Sequence, residues 1–289
     1  MSSVKICCVV VTYYPDVKDS TENILRYIKE IDHLIIWENT PLSEQHKYKI
    51  ELPGYEDKYS YMGNGENVGI AYALNRSVEW CKEHGYTHLM TMDQDSKWEN
   101  FTAYREGVIR NAADPKTGLF TPKIIHSISR RAIPINLGII TSGSIVPVEI
   151  CMRVGGFQEE YIIDCVDYEY YYRILSQGYD YKVIEEGVLV QEFGAQKKAK
   201  YFNYYTINHS AYRLYHITRN GIWLWHDYRD KQVLPKEWRL KELLKRNVKR
   251  DIKILLGESD KCSKMAAVLK GYRDGFFGKR VGHSGITRS

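Results

Sequence analysis

Two carboxylates stand one residue apart, at the point where an apolar segment of the chain ends. Asp93 and Asp95 flank Gln94 and directly follow the run at 87–92. Because alternate residues of an extended chain point the same way, both acids can face one cation. Mg2+ and Mn2+ prefer hard oxygen ligands and keep coordination positions open for phosphate. The pair therefore predicts a metal and nucleotide-diphosphate site, with a solvated acidic turn or helix cap as the alternative.

A second group of acids lies later in the chain, where the pattern predicts the start of a helix. Asp164, Asp167 and Glu169 fall within six residues. Acids in a first helical turn cap free N–H groups and complement the helix dipole, but three acids exceed what capping needs. Glu169 and Arg173 have the i,i+4 spacing of an ion pair, which favours a structural role for these two. Asp164 and Asp167 remain as candidates for chemistry.

Alternating strands and helices are predicted to position these acids. The predicted strands lie at 4–12, 33–37, 87–92 and 139–146. The first predicted helix begins after Ser20 or Thr21 as its cap, and the second spans 69–83. Strand–helix alternation of this kind predicts an α/β fold with a doubly wound, mostly parallel sheet. Ligand sites in such sheets gather at the carboxyl ends of the strands, where the Asp93 pair falls.

Composition limits the class of protein. With 289 residues, 44% of them hydrophobic, the chain can bury the core of a large α/β domain plus a smaller appendage. The longest apolar runs are too short to cross a bilayer and the first residues lack a signal-peptide layout, so we expect a cytoplasmic location. The six cysteines show no CxxC pairing and no metal-ligand spacing, which predicts reduced thiols.

The character of the sequence changes near residue 200, which predicts a boundary between parts at 1–200 and 201–289. The formal charge of +5 is concentrated at 231–253. Within 238–256, helical spacing places one group of apolar residues opposite Lys and Arg: Leu240, Leu243, Leu244, Val248, Ile252 and Leu255. Such a helix could lie on an anionic membrane. The favoured alternative is that its apolar face packs on the first part or on a partner subunit, as in a homodimer.

Ordered motifs recur along nearly the whole chain. They are the segments at 9–13 (VVVTY), 38–39 (EN), 65–71 (GENVGIA), 93–96 (DQDS), 141–144 (TSGS), 155–157 (GGF), 164–169 (DCVDYE), 213–215 (RLY), 219–220 (RN) and 270–275 (KGYRDG). In this order they resemble family 2 of the inverting glycosyltransferases with the GT-A fold, most closely its rhamnosyltransferase-like branch. The resemblance implies a Rossmann-like, mostly parallel sheet flanked by helices as a nucleotide-sugar-binding catalytic domain, with a C-terminal helical extension.

For the nucleotide, the resemblance implies a base and ribose pocket lined by Thr12 and Glu38, with Tyr13 and Asn39 beside them. Most relatives carry Asp where this chain has Glu38, so the pocket is expected to differ slightly.

Two residues of the loop before the second helix are also implied to approach the nucleotide. They are Asn67 and Gly69, where free N–H groups and the missing side chain suit an anionic ligand.

For the chemistry, the resemblance implies that Asp95 ligates a Mg2+ or Mn2+ ion that bridges the diphosphate, while Asp93 holds ribose or metal-bound water. Asp167 would be the general base of a single in-line displacement, with Asp164 as the second candidate. The donor would be a UDP- or dTDP-sugar, with rhamnose as one candidate, and the acceptor a hydroxyl of a cell-surface glycan or lipid-linked molecule. Four further residues are assigned to the donor sugar or acceptor: Ser142, Gly143, Glu169 and Arg173.

One position departs from the family pattern. Relatives often carry His in a His-x-x-Gly segment as a metal or phosphate contact, and this chain has QEFG at 191–194. Because the amide oxygen of Gln191 coordinates only weakly, metal binding is expected to rest on Asp95, assisted by Glu192 or water.

Two functions from other classes stay open. A haloacid-dehalogenase-type phosphatase also uses Asp-x-Asp after a strand, but it needs the pair at the first strand with Thr or Val at the position held here by Lys97. A noncatalytic nucleotide-sugar-binding protein of the same fold would not need Asp167. Nucleic-acid binding is not expected, because no recognised motif accompanies the basic tail.

Overall fold

The computed structural model describes residues 3–133, 139–191, 197–198, 205–206 and 208–280. The strands are β1 Ile6–Thr12, β2 His33–Glu38, β3 Tyr59–Met62, β4 His88–Asp93, β5 Lys97–Trp98, β6 Thr117–His126, β7 Ser144–Pro147, β8 Asp180–Gln191, β9 Lys197–Lys198 and β10 Tyr205–Thr206. The α-helices are α1 Val17–Ile24, α2 Ile70–Glu83, α3 Phe101–Asn111, α4 Val148–Arg153, α5 Val166–Ser176, α6 Ala211–Tyr228, α7 Leu240–Gly257 and α8 Lys261–Phe277. Short 3-10 helices lie at Gln45–Lys47, Glu56–Lys58, Glu159–Tyr161 and Lys236–Trp238.

Eight strands form one sheet in the order β3-β2-β1-β4-β7-β6-β8-β5. The β1, β2, β3 and β4 strands pair in parallel, as do β6 and β8. β7 lies between β4 and β6 and is antiparallel to both, and β5 is antiparallel to β8. The expected α/β fold with a mostly parallel sheet is confirmed, with β7 as an antiparallel insertion.

The sheet is buried on both faces, which explains the continuous apolar runs of its central strands. In β1, Cys7 and Val9 belong to the core cluster that contains α2, whereas Cys8 and Val10 belong to the cluster on the other face. All six cysteines are free thiols, as the sequence predicts, and only Cys262 is exposed.

The first helix begins earlier than predicted. Asp16 is its cap, because its Oδ1 accepts a hydrogen bond from Asp19 N at 3.1 Å. The prediction of Ser20 or Thr21 as cap is wrong: both lie inside the helix, and the Thr21 hydroxyl donates to the main-chain carbonyl one turn earlier. Any of these side chains can cap a helix, so sequence alone chose the wrong one.

The predicted strand at 139–146 is also shorter than expected, since only Ser144–Pro147 is a strand. Gly143 interrupts it with a φ of +78°, and its N–H donates to Thr91 O at 2.7 Å. The residues before it instead form a loop against the end of β4, which matters for the site.

The C-terminal helices pack on the sheet domain through α6. Asn220 Nδ2 donates to three main-chain carbonyls of the loop before α5, those of Tyr161, Ile163 and Asp164, at 2.8 to 2.9 Å. The loop that carries the second group of acids is therefore held by the C-terminal part. The residues around the predicted boundary at 200 lie outside the described ranges, and that boundary stays a prediction.

Only the first part of the apolar stripe of α7 faces the protein, through Leu243. The buried positions of this helix are Leu243, Asn247, Asp251 and Ile254. The predicted stripe residues Val248, Ile252 and Leu255 are instead exposed, so these three do not pack on the first part of the chain, and packing on a partner subunit stays a prediction. Within the described residues, no helix is both long enough and apolar enough to cross a membrane.

Glu169 and Arg173 form the predicted i,i+4 ion pair, and both are buried. Arg173 Nη2 lies 2.6 Å from Glu169 Oε2, and the Tyr228 hydroxyl of α6 donates to Glu169 Oε1 at 2.8 Å. The pair therefore ties α5 to α6, and its burial favours the structural role over the assignment to donor or acceptor binding.

We expect Arg173→Met to lower the free energy of unfolding by about 3–5 kcal/mol, because it leaves the buried Glu169 carboxylate without its cation. Urea denaturation measures the change. Arg110→Met is the matched control, since Arg110 forms the same i,i+4 pair with Glu106 on an exposed helix face. The control should cost at most about 0.5 kcal/mol. Equal losses in the two variants would contradict a buried, stabilising pair.

Candidate functional site

The predicted nucleotide and metal residues converge at one edge of the sheet. Thr12 of β1 pairs in register with Glu38 of β2, and its neighbour Val11 pairs with Asp93 of β4. The three strands are parallel, so the polar side chains follow their carboxyl ends at the same edge. Thr12 and Glu38 are buried, and the Thr12 hydroxyl donates to Trp37 O at 3.2 Å.

Gln94, the middle residue of the Asp93 pair, joins this edge to the loop after β1. Its Oε1 accepts from Tyr13 N at 2.8 Å and its Nε2 donates to Tyr13 O at 3.3 Å. The main-chain carbonyl of Gln94 also accepts from Ser20 and Asn23 of α1, each at 3.3 Å. Sequence reasoning assigned Gln94 no role, although an amide side chain can bond both the N–H and the C=O of one residue.

Asn39 fixes the loop that opens α2. Its Oδ1 accepts from Trp37 Nε1 at 3.2 Å and from Val68 N at 3.4 Å, and its Nδ2 donates to Gly69 O at 3.4 Å. In the same loop, Asn67 Oδ1 accepts from Gly69 N at 3.0 Å. The amide of Asn39 is therefore committed to positioning this loop.

Gly69 is required by a close approach of two chain segments. Its φ is +83°, and a Cβ there would lie 2.9 Å from Ile162 O. The next N–H, of Ile70, donates to that same carbonyl at 3.0 Å. The expectation of free N–H groups is wrong for Gly69 and Ile70, because both are already hydrogen-bonded within the protein. The contact instead joins the edge of the sheet where β1, β2 and β4 end, called the nucleotide edge below, to the loop before α5.

A closed ring of hydrogen bonds holds Asp93. Its N–H donates to Ser142 Oγ at 3.1 Å, and Ser142 Oγ donates to Ser96 Oγ at 2.6 Å. Ser96 Oγ then donates to Gln191 Oε1, and Gln191 Nε2 returns to Asp93 Oδ2 at 3.4 Å. All three partners are buried. Gln191, at the position where relatives carry His, thus contacts the Asp93 carboxylate directly, while Glu192 lies outside the described residues.

Two residues that the resemblance assigns to the sugar, Ser142 and Gly143, lie in or beside this hydrogen-bonded ring. Ser142 has its hydroxyl committed to the ring. Gly143 is packed in the core, where a Cβ would lie 2.9 Å from Leu189 and 3.0 Å from Pro122. Both positions favour support of the Asp93 loop over direct contact with a sugar.

Like charges and burial raise the pKa of Asp93. Burial is the largest cause, the charges of Asp95 and Asp167 add to it, and together they bring this pKa to about 7 against the hydrogen bond from Gln191. Asp167 also lines a small cavity together with Thr91 of β4, so the two acidic segments, far apart in the chain, lie near each other.

Burial also raises the pKa of Asp167 to about 7, and the Asp164 charge adds to it while the N–H of Tyr168 opposes it. That N–H donates to Asp167 Oδ1 at 2.8 Å. Asp167 lines a small cavity together with Phe157 and Tyr170. A carboxyl group whose pKa lies near neutrality suits proton transfer.

Asp164 is engaged elsewhere. Its carboxylate accepts from Arg213 of α6, with Nη2 at 3.0 Å from Oδ1 and Nε at 3.2 Å from Oδ2. Its φ of +61°, followed by +64° at Cys165, gives the chain a left-handed turn before α5. Sequence reasoning noted the RLY and RN motifs without a role, and the structure shows that Arg213 and Asn220 hold this turn. Of the two candidate bases, Asp167 is the one without an Arg partner among the described contacts.

A Mg2+ or Mn2+ ion held by Asp93 and Asp95 stays a prediction, and the oxygen ligands that these two side chains offer are of the type that such ions prefer. Asp95 is exposed and lines a cavity of about 260 Å3 beside Gln94 and Lys97. Among the described residues, no three His, Cys, Asp or Glu side chains are grouped closely enough to hold an ion. An ion held by only two carboxylates keeps coordination positions open, and substrate phosphates could fill these positions. A cation would also relieve the repulsion that raises the pKa of Asp93.

No protein-family model matches the chain. It is 27% identical over 242 residues to the dTDP-rhamnosyl transferase RfbF of Shigella flexneri, an alignment that covers 76% of this chain and 79% of that protein. The structure superposes on that of GalNAc-T7 with UDP, GalNAc and Mn2+ with a TM-score of 0.54 at 10% identity, over 88% of this chain and 58% of that one. The chain has the GT-A glycosyltransferase fold. The expected fold is thereby confirmed, and the rhamnosyltransferase-like branch stays a prediction.

A weaker superposition, on TarS of S. aureus, has a TM-score of 0.44 at 12% identity, covering 95% of this chain and 44% of that one.

We expect Gln191→Leu to weaken Mn2+ binding about 10–100-fold, because it removes the hydrogen bond that orients the Asp93 carboxylate and opens the ring. Titration calorimetry with Mn2+ and a nucleoside diphosphate measures the change. Gln177→Leu, at an exposed position after α5, is the matched control. Unchanged affinity in Gln191→Leu would show that the ring does not support a metal ligand.

Proposed function

We propose that the chain is an inverting glycosyltransferase that moves a sugar from a UDP- or dTDP-linked donor to a hydroxyl of a glycan or lipid-linked acceptor. The observation that supports the proposal is that Asp93 ends β4 at the carboxyl edge of a GT-A sheet, while Asp167 lines a cavity together with Thr91 of the same strand. Asp93 belongs to a segment suited to binding a metal ion with a diphosphate, and Asp167 has a pKa near neutrality. The similarity to RfbF makes dTDP-rhamnose the first donor to test.

The nucleoside would lie over the ends of β1 and β2. Thr12 and Glu38 form the buried floor, and Tyr13 is exposed directly beside them. Because its main chain is held on both sides by Gln94, the Tyr13 ring is positioned to stack on a base. Asn39, Asn67 and Gly69 would shape the adjoining loop rather than supply free donors.

Asp95 and Asp93 would hold Mg2+ or Mn2+, which when bound supplies positive charge to the diphosphate leaving group. The protein's own part is to keep the two carboxylates at one edge. The ring through Ser96, Ser142 and Gln191 fixes Asp93, and Gln94 fixes the turn between the acids.

Asp167 would accept the proton of the acceptor hydroxyl. As the acceptor oxygen bonds to the anomeric carbon, the bond from that carbon to the diphosphate oxygen breaks, and the configuration inverts in this single step. With a pKa of about 7, Asp167 is partly deprotonated at neutral pH and is a stronger base than an ordinary carboxylate. The Asp164–Arg213 pair would position the turn that carries it.

The alternatives from other classes receive less support. A phosphatase of the haloacid dehalogenase type needs its acids after the first strand, and here they follow β4. A noncatalytic binding protein would bind donor without turnover, and the test of Asp167 below separates it from an enzyme. A cytoplasmic location, a homodimer and peripheral membrane contact stay predictions.

We expect nucleoside diphosphate binding to strengthen when Mn2+ or Mg2+ is added, and Asp95→Ala to lose this gain, because the variant lacks one cation ligand. Calorimetry with dTDP and UDP, with the metal and with EDTA, measures it. Asp57→Ala, an exposed acid elsewhere on the surface, is the control and should behave as wild type. Equal affinity with EDTA and in Asp95→Ala would remove the metal from the mechanism.

We expect Asp167→Asn to lower turnover by about two to four orders of magnitude while donor binding stays nearly intact. In the wild type, kcat should rise as pH increases through about 7, because only the deprotonated Asp167 can accept the proton. Steady-state rates across pH, with calorimetry of the donor, measure both effects. A fully active Asp167→Asn with an inactive Asp164→Asn would assign the base to Asp164. Donor binding without turnover in the wild type, whatever the acceptor, would favour the noncatalytic alternative.

A further inference from the structure

A further cavity lies where the acidic turn meets the C-terminal helices. It has a volume of about 560 Å3, which is within the usual range for small-molecule sites, about 300–1,000 Å3. Its apolar wall includes Cys165, Leu214, Ile217 and Trp238. Cys165 stands between Asp164 and Asp167 in the chain, so this cavity adjoins the proposed catalytic turn without sharing the nucleotide edge.

One face of α7 gives the cavity a basic side. Arg246, Lys249, Arg250 and Lys253 all line it. Glu258, which also lines it, is already paired with Lys264 at 2.8 Å, and both of these side chains are buried. The lining therefore carries an excess of positive charge next to an apolar wall.

Arg250 offers a buried donor to this cavity. Its Nε donates to Asp251 at 2.9 Å and its Nη2 donates to Thr218 at 2.9 Å. Its Nη1 is buried and has no hydrogen-bond partner among the described residues. A buried guanidinium N–H is costly to leave unpaired, and an anionic oxygen would satisfy it.

The exposed face of the same helix indicates which kind of anion. Val248, Ile252, Leu255 and Leu256 are each exposed to solvent. A helix that exposes an apolar stripe and directs basic residues to an adjacent cavity is suited to a lipid surface. A soluble phosphate compound would need neither this stripe nor the apolar wall.

We propose that this cavity binds a phosphate-bearing lipid, with its phosphate at the basic face of α7 and its hydrocarbon against Leu214, Ile217 and Trp238. Resting on the proposed function, this assigns the cavity to the lipid phosphate of the acceptor, whose hydroxyl end then extends past Cys165 toward Asp167. The C-terminal helices would thus select the acceptor, while the sheet edge binds the donor.

The probe is decyl phosphate, used below its critical micelle concentration. Decanol, which has only the hydrocarbon, and inorganic phosphate, which has only the anionic group, are the two comparison ligands. Calorimetry on the full chain should show binding of decyl phosphate at least about tenfold tighter than either comparison ligand, because the cavity combines charge with apolar surface. If inorganic phosphate binds as tightly as decyl phosphate, the ligand of the cavity is a soluble phosphate compound and not a lipid, and the proposal is overturned.

Two variants address the cavity from opposite sides. Lys249→Gln with Lys253→Gln removes two charges of the basic face, and Ile217→Trp fills the apolar wall. Each should weaken decyl phosphate binding at least about tenfold, which corresponds to about 1.4 kcal/mol of binding free energy. Lys241→Gln with Lys245→Gln is the matched control, because it makes the same charge change on α7 outside the cavity lining. Decyl phosphate binding that drops equally in the control, or in no variant, would overturn the assignment to this cavity.

Nucleoside diphosphate binding is measured in the same preparations and separates this inference from the proposed function. It should be unchanged in all three variants, which also shows that they are folded. Loss of decyl phosphate binding in the cavity variants with intact nucleotide binding supports the inference. A wild type that binds the nucleotide but not decyl phosphate contradicts the inference alone, whereas one that binds decyl phosphate but no nucleotide contradicts the proposed function alone.

Discussion

The central constraint of the site is the partly buried carboxylate of Asp93 at the end of β4, where burial and the charges of Asp95 and Asp167 disfavour the ionised form and raise its pKa. A carboxylate in such surroundings is stabilised either by taking up a proton or by a cation beside it. The pKa of about 7 reports the first outcome. The ring through Ser142, Ser96 and Gln191 keeps Asp93 in place despite the repulsion. Under the proposed function, a cation bound with the diphosphate would supply the second outcome.

The C-terminal helices are part of this arrangement and not an appendage to it. Asn220 holds three carbonyls of the loop before α5, and Arg213 pairs with Asp164 in the same loop. That loop also reaches the nucleotide edge, through Ile162 O and the N–H of Ile70. The donor edge, the proposed base and the α7 cavity are therefore linked through one loop, and the site draws on residues from both sides of position 200.

Sequence alone predicted the elements whose pattern is local. The predicted strands at 4–12, 33–37 and 87–92 are three parallel strands of the sheet with polar residues following them at one edge, and the i,i+4 spacing predicted the Glu169–Arg173 pair. The roles of Gln94, Ser96 and Arg213 could not be predicted, because each depends on a partner tens of residues away in the chain.

Sequence alone also failed to predict which face of α7 is buried, for a related reason. Periodicity identifies an apolar stripe but does not say what covers it, and here the buried face includes Asn247 and Asp251 while Val248 and Ile252 are exposed.

A crystal structure of the protein with dTDP and Mn2+ would test the central claim most directly, with the anomalous signal locating the metal. The account predicts a Mn2+ ion between the diphosphate and the carboxylate of Asp95, the base over Thr12 and Glu38, and the open side of the diphosphate facing Asp167. A nucleotide bound away from the ends of β1, β2 and β4, or a metal that contacts neither Asp93 nor Asp95, would contradict it.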